Sequence, residues 1–489
     1  MFAFLCVSAI CFIAVTKLYF WTFFPPRNFP RNIPTVPFYV TLLPLFKDVD
    51  QEKIFKEYLE EPLATHGAVK IFFGARWNIL LQKPEYMAEI FKDEKTYAKS
   101  GNQKKIPYSV LADYTGDNII SAHGDDWRLY QQVLKPGLQK QFDISSFCEN
   151  ALLLIRILKE TNNRDGAVLV TPLLQRYTVA NLGKAVFSAD FQTMEKPDAD
   201  VHLLQMAVKK EIFKPIFLTF PFLDALPIPS RKKARRTVQV FRDEFCKMVQ
   251  KSHAGNCCST ESDNLGCRLI SARKKSVLRE KQFQDNMVIS FVAGHENPQL
   301  LLSTLIYLLA KHQEIQEKLR REILCSGQDD PSHDMFKNMP YLTSVIYEAL
   351  RLFPPISQLI NRKTTRTVAL GNEIIIPKGT YVGYHAYATG RDATCWGLDA
   401  NEFLPERWGG TMPEIANKYR RAKSKAEFTS FHGGRRACLG EKLAILEARV
   451  TLFYLIQRLK WKLDPTWPER MTPAGPLYPR MLRVQVEEL

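Results

Sequence analysis

Apolar residues recur at three- and four-residue intervals through most of the chain, which predicts long amphipathic helices around residues 146–160, 234–252, 282–323, 340–352 and 438–459. Strand-like runs are confined to two places. "AVKIFFGARWNILLQ", Ala68 to Gln82, breaks at Gly74 and predicts a hairpin, followed by a short helix from Pro84. "EIIIPKGTYVGYHAY", Glu373 to Tyr387, predicts a second hairpin turned at Pro377 to Gly379. The pattern is that of a mainly α chain with a small β-rich part and no internal repeat. The polar stretch 253–266 reads as a surface linker between helices.

The first 24 residues are apolar apart from Lys17 and as a helix would extend about 36 Å, enough for the roughly 30 Å of a bilayer core. No basic residue precedes this run and no small-residue cleavage site follows it, which favours a transmembrane anchor at 1–24 over a cleaved leader. Arg27 and Arg31 come directly after, placing the remaining chain on the cytoplasmic side. The prolines between Pro25 and Pro37 predict a stiff hinge (25–37), leaving one large folded unit at 38–489. A second membrane contact is expected at Ile212 to Pro229, aromatic and proline-broken, running into the basic "SRKKARR".

Charge and cysteine usage narrow the partners. The 67 basic and 51 acidic residues give a net charge of +16, which suits acidic surfaces, but no zinc-finger spacing, RNP-type motif or Gly/Arg-rich tail points to nucleic acid. The ten cysteines are scattered without a C-x-x-C, so neither a disulfide framework nor a zinc site is expected.

One cysteine stands apart. In "FHGGRRACLG", Phe431 to Gly440, three glycines allow close backbone approach to a flat group, and the helical pattern that follows would aim N–H groups at the Cys438 sulfur. Arg436 suits a carboxylate. A thiolate, a tight loop and an arginine together describe a haem seat. The spacing Phe431, Gly434, Arg436, Cys438, Gly440 resembles the F-x-x-G-x-R-x-C-x-G signature of the cytochrome P450 family, in which the cysteine thiolate ligates haem iron.

That resemblance implies a P450 fold, haem b as cofactor, and electrons from NADPH through NADPH–cytochrome P450 reductase, on the endoplasmic reticulum membrane. The reductase's acidic surface would dock on the Cys438 side, where Arg435, Arg436 and Lys442 cluster. The resemblance also implies that Glu348 and Arg351 of "YEALR" join Arg407 of "PERW" in a buried charge cluster. Trp127 and Arg128 match the family's W-x-x-x-R helix, with Gln131 where the later arginine belongs, so Arg128 or Arg362 is expected to serve a haem propionate. On the central helix, Ala293, Gly294, His295, Glu296, Asn297 and Pro298 stand where the family has [AG]-G-x-[DE]-T-[ST]. Ala293 and Gly294 would leave room for O₂, Glu296 keeps the acid and Asn297 replaces the proton-relaying threonine. Pro298 is expected to open the helix and free the Gly294 carbonyl, at a cost of about 3 kcal/mol.

Within the family, Lys99–Ser109, Phe217–Asp224, Pro229–Ala234, Val292–Leu301 and the cysteine stretch resemble the members that couple N-formyl-tyrosine to N,N′-bisformyl-dityrosine for the spore wall. This implies a phenolic amino-acid substrate, with Lys104 and Lys105 as candidates for its carboxylate; a solvated loop is the other reading of these lysines. Two alternatives remain open: a P450 hydroxylase of fatty acids or xenobiotics, and a membrane haem-binding protein without turnover.

Overall fold

Residues 12–13, 16, 22–253 and 264–489 are described by the computed structural model, so the predicted anchor at 1–24 and most of the 253–266 linker fall largely outside them. Among the described residues no helix is long and apolar enough to cross a membrane. The 32-residue helix Glu280–Lys311 is the longest described element, and its buried face runs along nearly its whole length. In chain order the helices that position the site are α1 (Asp125–Leu138), α2 (Val170–Leu182), α3 (Asp200–Ile212), α4 (Pro229–Ser252), α5 (Glu280–Lys311), α6 (Pro340–Leu352) and α7 (Glu441–Arg458). The apolar segment 282–323 is two helices: His312 leaves the helical region (φ −110°, ψ 79°), and a new helix starts at Gln313.

The β part is a five-stranded sheet in the order β1-β2-β5-β4-β3, built from β1 (Ala68–Phe72), β2 (Trp77–Leu81), β3 (Tyr97–Lys99), β4 (Gln358–Thr364) and β5 (Tyr381–His385). β1 and β2 form the expected hairpin. Glu373 to Tyr387 does not form one: Ile374–Ile376 pairs with Val368–Leu370, whereas β5 enters the large sheet between β2 and β4. Val382, Gly383 and Tyr384 are flanked by paired strands on both sides, which a lone two-stranded ribbon could not offer. Gly383 permits the close approach, since a Cβ there would lie 2.2 Å from the Leu359 carbonyl oxygen.

The proline-rich segment is pinned to the sheet. The Lys70 ammonium donates to the Pro30 carbonyl (3.0 Å), and Val36 and Lys70 exchange backbone bonds with Lys70 and Pro34 (2.9 and 2.8 Å). Downstream, Phe213, Ile216, Phe222 and Leu226 are exposed, as a lipid contact requires. Only part of the basic run is free to face headgroups: Arg231 is buried against Asp224 (2.5 Å) and Arg235 pairs with Asp113, while Lys232, Lys233 and Arg236 point outward.

Glu348, Arg351 and Arg407 meet as the pattern implied. Arg351 grips the Glu348 carboxylate through two nitrogens (2.9 and 2.7 Å), and Arg407 Nε adds a third bond at 3.2 Å. Both side chains of the first pair are 0% exposed. Trp408, which the sequence did not single out, donates its indole N–H to Glu348 (3.0 Å), and Asp399 balances Arg407 (2.8 Å). Ser430, just before the cysteine loop, donates to the Leu350 carbonyl (2.6 Å), so the loop is tied to the helix that carries this cluster. Replacing Glu348 with Ala leaves the buried Arg351 without a carboxylate while Arg407 keeps Asp399, and is expected to cost about 3–5 kcal/mol of stability, measured as a lowered denaturation midpoint.

Candidate functional site

The Cys438 loop is shaped by its neighbours before any ligand is considered. The Cys438 N–H donates to the Phe431 carbonyl (2.9 Å), closing the loop. Gly434 has φ +62°, and a Cβ there would lie 2.7 Å from the Phe91 carbonyl oxygen, so both conformation and space demand glycine. Gly440 is different: its only neighbour for a Cβ is the Cys438 sulfur at 3.9 Å, so no packing within the chain requires it. The Cys438 side chain is exposed, yet burial pushes its thiol above the usual value: the sulfur faces a space within the molecule. N–H groups of Gly440 and Glu441 at the start of α7 pull the other way but do not win. These N–H groups are aimed at the sulfur as expected from the helical pattern, while desolvation acts more strongly in the opposite direction in the chain by itself.

Beside the loop lies a buried cluster with too much positive charge. Glu94 accepts from Arg436 Nε (2.5 Å) and Arg362 Nη1 (3.3 Å). Burial would raise this carboxyl, but Arg436 and Arg362 hold it below its ordinary value. Lys99 lies beside them, 4% exposed, with no carboxylate of its own among the described residues; burial, then Arg362 and Arg436, push its ammonium far down. Lys99 and Arg362 are directly opposed in the β3–β4 ladder, so the strand register holds them together. Both point nitrogens at His432 Nε2 (3.3 Å each), which must therefore be the bare nitrogen; the proton sits on Nδ1 and is donated to the Tyr384 hydroxyl (2.9 Å). Trp127 stacks against the Arg436 guanidinium at 4.1 Å and holds it in place.

Three cations thus face one carboxylate, and the buried Arg362 Nε and His123 Nδ1 have no partner among the described residues. Haem carries two propionates, which basic side chains sharing one carboxylate can hold, and a cysteine beside them could supply an iron ligand. These residues fit haem b. Cys438 would be its ligand, and Arg436, Arg362 and Lys99 would hold its carboxylates. Arg128 does not belong to the set: it is exposed and paired with Asp125 on the outer face of α1 (3.1 Å). Arg436 likewise faces inward, so Arg435 and Lys442 are the exposed members of the basic group near Cys438. Lys99, Glu94 and His432 were not singled out from sequence, because their roles arise from strand register and loop packing.

The stretch Val292–Leu301 also departs from expectation. α5 runs unbroken through Pro298; Asn297 Nδ2 donates to the Ala293 carbonyl (3.3 Å) and steadies the turn that the proline weakens. Gly294 does not open oxygen space: a Cβ there would lie 2.5 Å from Leu182 Cδ1, so the glycine admits α2. Glu296 pairs with Lys209 of α3 (3.0 Å). Burial acts to raise its carboxyl, but Lys209 prevails and keeps it below its ordinary value. Next to it, His295 has Nδ1 2.6 Å from the Phe291 carbonyl and Nε2 against Gln205, whose amide reaches Gln175 (3.1 Å). Burial pushes His295 down to about 4, so it is neutral. Of the two candidate substrate lysines, Lys104 is exposed and Lys105 is buried.

The cytochrome P450 family model matches residues 30–483. The chain belongs to the cytochrome P450 family. This P450 is 47% identical over 486 residues to Cytochrome P450-DIT2 of Saccharomyces cerevisiae, covering 98% of this chain and 97% of the relative. It is 39% identical over 480 residues to the Cytochrome P450 monooxygenase xanG of Aspergillus fumigatus (96% and 88% covered), and 26% over 432 residues to Cytochrome P450 734A1 of Arabidopsis thaliana (84% and 78%). P450s use haem b with electrons passed from NADPH by a reductase, and this one is an oxidoreductase of that class. Replacing Lys99 with Met removes a desolvated cation: the haem-free protein is expected to gain stability, whereas haem affinity falls by about tenfold or more, read by denaturation and by haem titration.

Proposed function

We propose that this P450 couples two molecules of N-formyl-tyrosine to N,N′-bisformyl-dityrosine for a spore or cell wall. The observation that carries the reading is the likeness to coupling members of the family in the stretches around Lys99, Phe217, Pro229 and Val292, within a chain similar to P450-DIT2 over 98% of its length. Each phenol gives up one hydrogen atom and a carbon–carbon bond forms between the rings. Those two hydrogens, NADPH, a proton and O₂ yield NADP⁺ and two waters. Haem supplies the O₂ activation that this oxidation requires.

The chain's own contribution on this side is proton handling. Glu296 is held as an anion by Lys209, so it passes a proton only when that pair loosens; α3, which carries Lys209, is the element whose movement would do so. Asn297, committed to the Ala293 carbonyl, holds the helix turn in place of a relaying hydroxyl. In the proposed organisation residues 1–24 anchor the protein in the membrane, 25–37 lead to the sheet, and 38–489 form the catalytic domain facing the cytoplasm. The exposed apolar side chains between Phe213 and Leu226 support a lipid contact, and Arg435 with Lys442 supports docking of an acidic reductase.

The decisive assay gives membranes carrying the protein and a reductase NADPH, O₂ and N-formyl-tyrosine, and weighs the products. A dimer lacking two hydrogens is expected; a monomer heavier by one oxygen would replace the proposal with hydroxylation. In the same assay, Glu296→Gln is expected to lower turnover by about 10²-fold or more while haem incorporation persists.

A further inference from the structure

Apart from the haem site, a second buried cationic group lacks an acidic partner among the described residues. Lys105 closes the turn Asn102–Lys105 and is 5% exposed. Its ammonium lies 5.2 Å from the ring centres of both Phe73 and Tyr381. Arg76, at the tip of the β1–β2 hairpin, lies 4.9 Å from the same Tyr381 ring, and Lys363 approaches it at 5.5 Å. Arg76 spends Nη2 on the Lys105 carbonyl, and its buried Nε has no partner among the described residues. Among the described residues no acidic group offsets the charge of Lys105: burial and Arg76 push it down to about 7. A buried ammonium beside a guanidinium, with no counter-charge, lowers stability unless an anion arrives.

The position of the group suits a substrate. Three segments converge there. Asn78 Nδ2 fixes the hairpin tip through the Phe73 and Arg76 carbonyls (3.0 and 2.7 Å). Asp224 accepts from the Val110 N–H (2.8 Å), and Arg235 donates to the Tyr108 carbonyl, joining the 213–235 region to the segment after Lys105. Phe220 packs against the cluster of Phe38, Phe72 and Trp77. The Ser100 hydroxyl, one residue after Lys99 of the haem cradle, meets the Tyr381 hydroxyl at 3.2 Å. Further along the same segment, burial and then the charge of Glu296 push the Tyr114 phenol up, so this stretch runs from the cationic group to the central helix.

We infer that Lys105 and Arg76 form an anion subsite for the carboxylate of an aromatic acid substrate, holding its charged end and leaving its phenol free for oxidation. The identity of the acid rests on the coupling reading; the subsite does not. The test uses the full-length haem-loaded protein and spectral titration with two pairs: N-formyl-tyrosine and its carboxamide, and 3-(4-hydroxyphenyl)propionate and its carboxamide. The wild type is expected to prefer each acid over its amide by about 10- to 100-fold. Lys105→Met and, separately, Arg76→Gln should erase most of that preference while the thiolate-type carbon monoxide spectrum is retained. Equal affinity for acid and amide, absence of acid binding in both pairs, or variants that weaken acid and amide alike would each overturn the subsite. A Lys105-dependent preference for the shorter acid, with no binding of N-formyl-tyrosine, would uphold the subsite and remove the coupling reading. If Lys105→Met instead weakens only binding to vesicles of anionic lipid, the group serves a headgroup and the substrate assignment fails.

Discussion

Buried positive charge in excess of buried negative charge is the constraint around which the site is organised. Lys99, Arg362 and Arg436 share one carboxylate, Glu94, in a region from which water is largely removed. Such an arrangement is unfavourable for the polypeptide alone, since each desolvated ion loses hydration that a single carboxylate cannot replace. The surrounding structure is consistent with holding that charge ready: the β3–β4 register sets Lys99 opposite Arg362, Trp127 backs Arg436, and His432 offers its bare nitrogen to both neighbouring cations. A dianionic cofactor turns this liability into binding energy, which makes cofactor loading and folding coupled properties of the chain.

The sulfur follows the same logic from the opposite side. Burial disfavours its thiolate, and the amides at the start of α7 only partly oppose this, so a cation at the sulfur is needed to complete the charge balance. What the protein contributes is position. Phe431 accepts the loop's hydrogen bond, Phe91 fills the space that glycine leaves, and Ser430 ties the loop to α6, whose Glu348–Arg351–Arg407–Trp408 cluster is fully bonded. On the other side, Glu296 with Lys209 and neutral His295 with Gln205 place a charged pair and a neutral pair next to each other on α5. Lys209 holds Glu296 as an anion, so this pair stays charged; His295, with its ring nitrogens both engaged and its protonation disfavoured, is a fixed strut.

Helix periodicity located the long helices because burial along one stripe is a local property of the sequence. It failed at His312, where one apolar run hides a corner, and at Glu373–Tyr387, where strand-like composition cannot say which partner a strand will take. Pro298 shows the limit of a local rule: the ring removes a hydrogen bond, but packing on α2 and the Asn297 amide keep the helix continuous. Gly294 shows another, since a missing side chain was read as space for a ligand and is occupied by Leu182.

The sequence by itself made the family legible, because Cys438, the glycines of its loop and the paired Glu348 and Arg351 lie within short spacings whose geometry a loop or one helical turn enforces. Only the tertiary structure decided which cations face inward. Lys99 and Lys105 were turned in and Arg128 and Lys104 turned out by strand register and by the packing of distant segments, and the energy of a buried charge depends on what surrounds it, which no local pattern records.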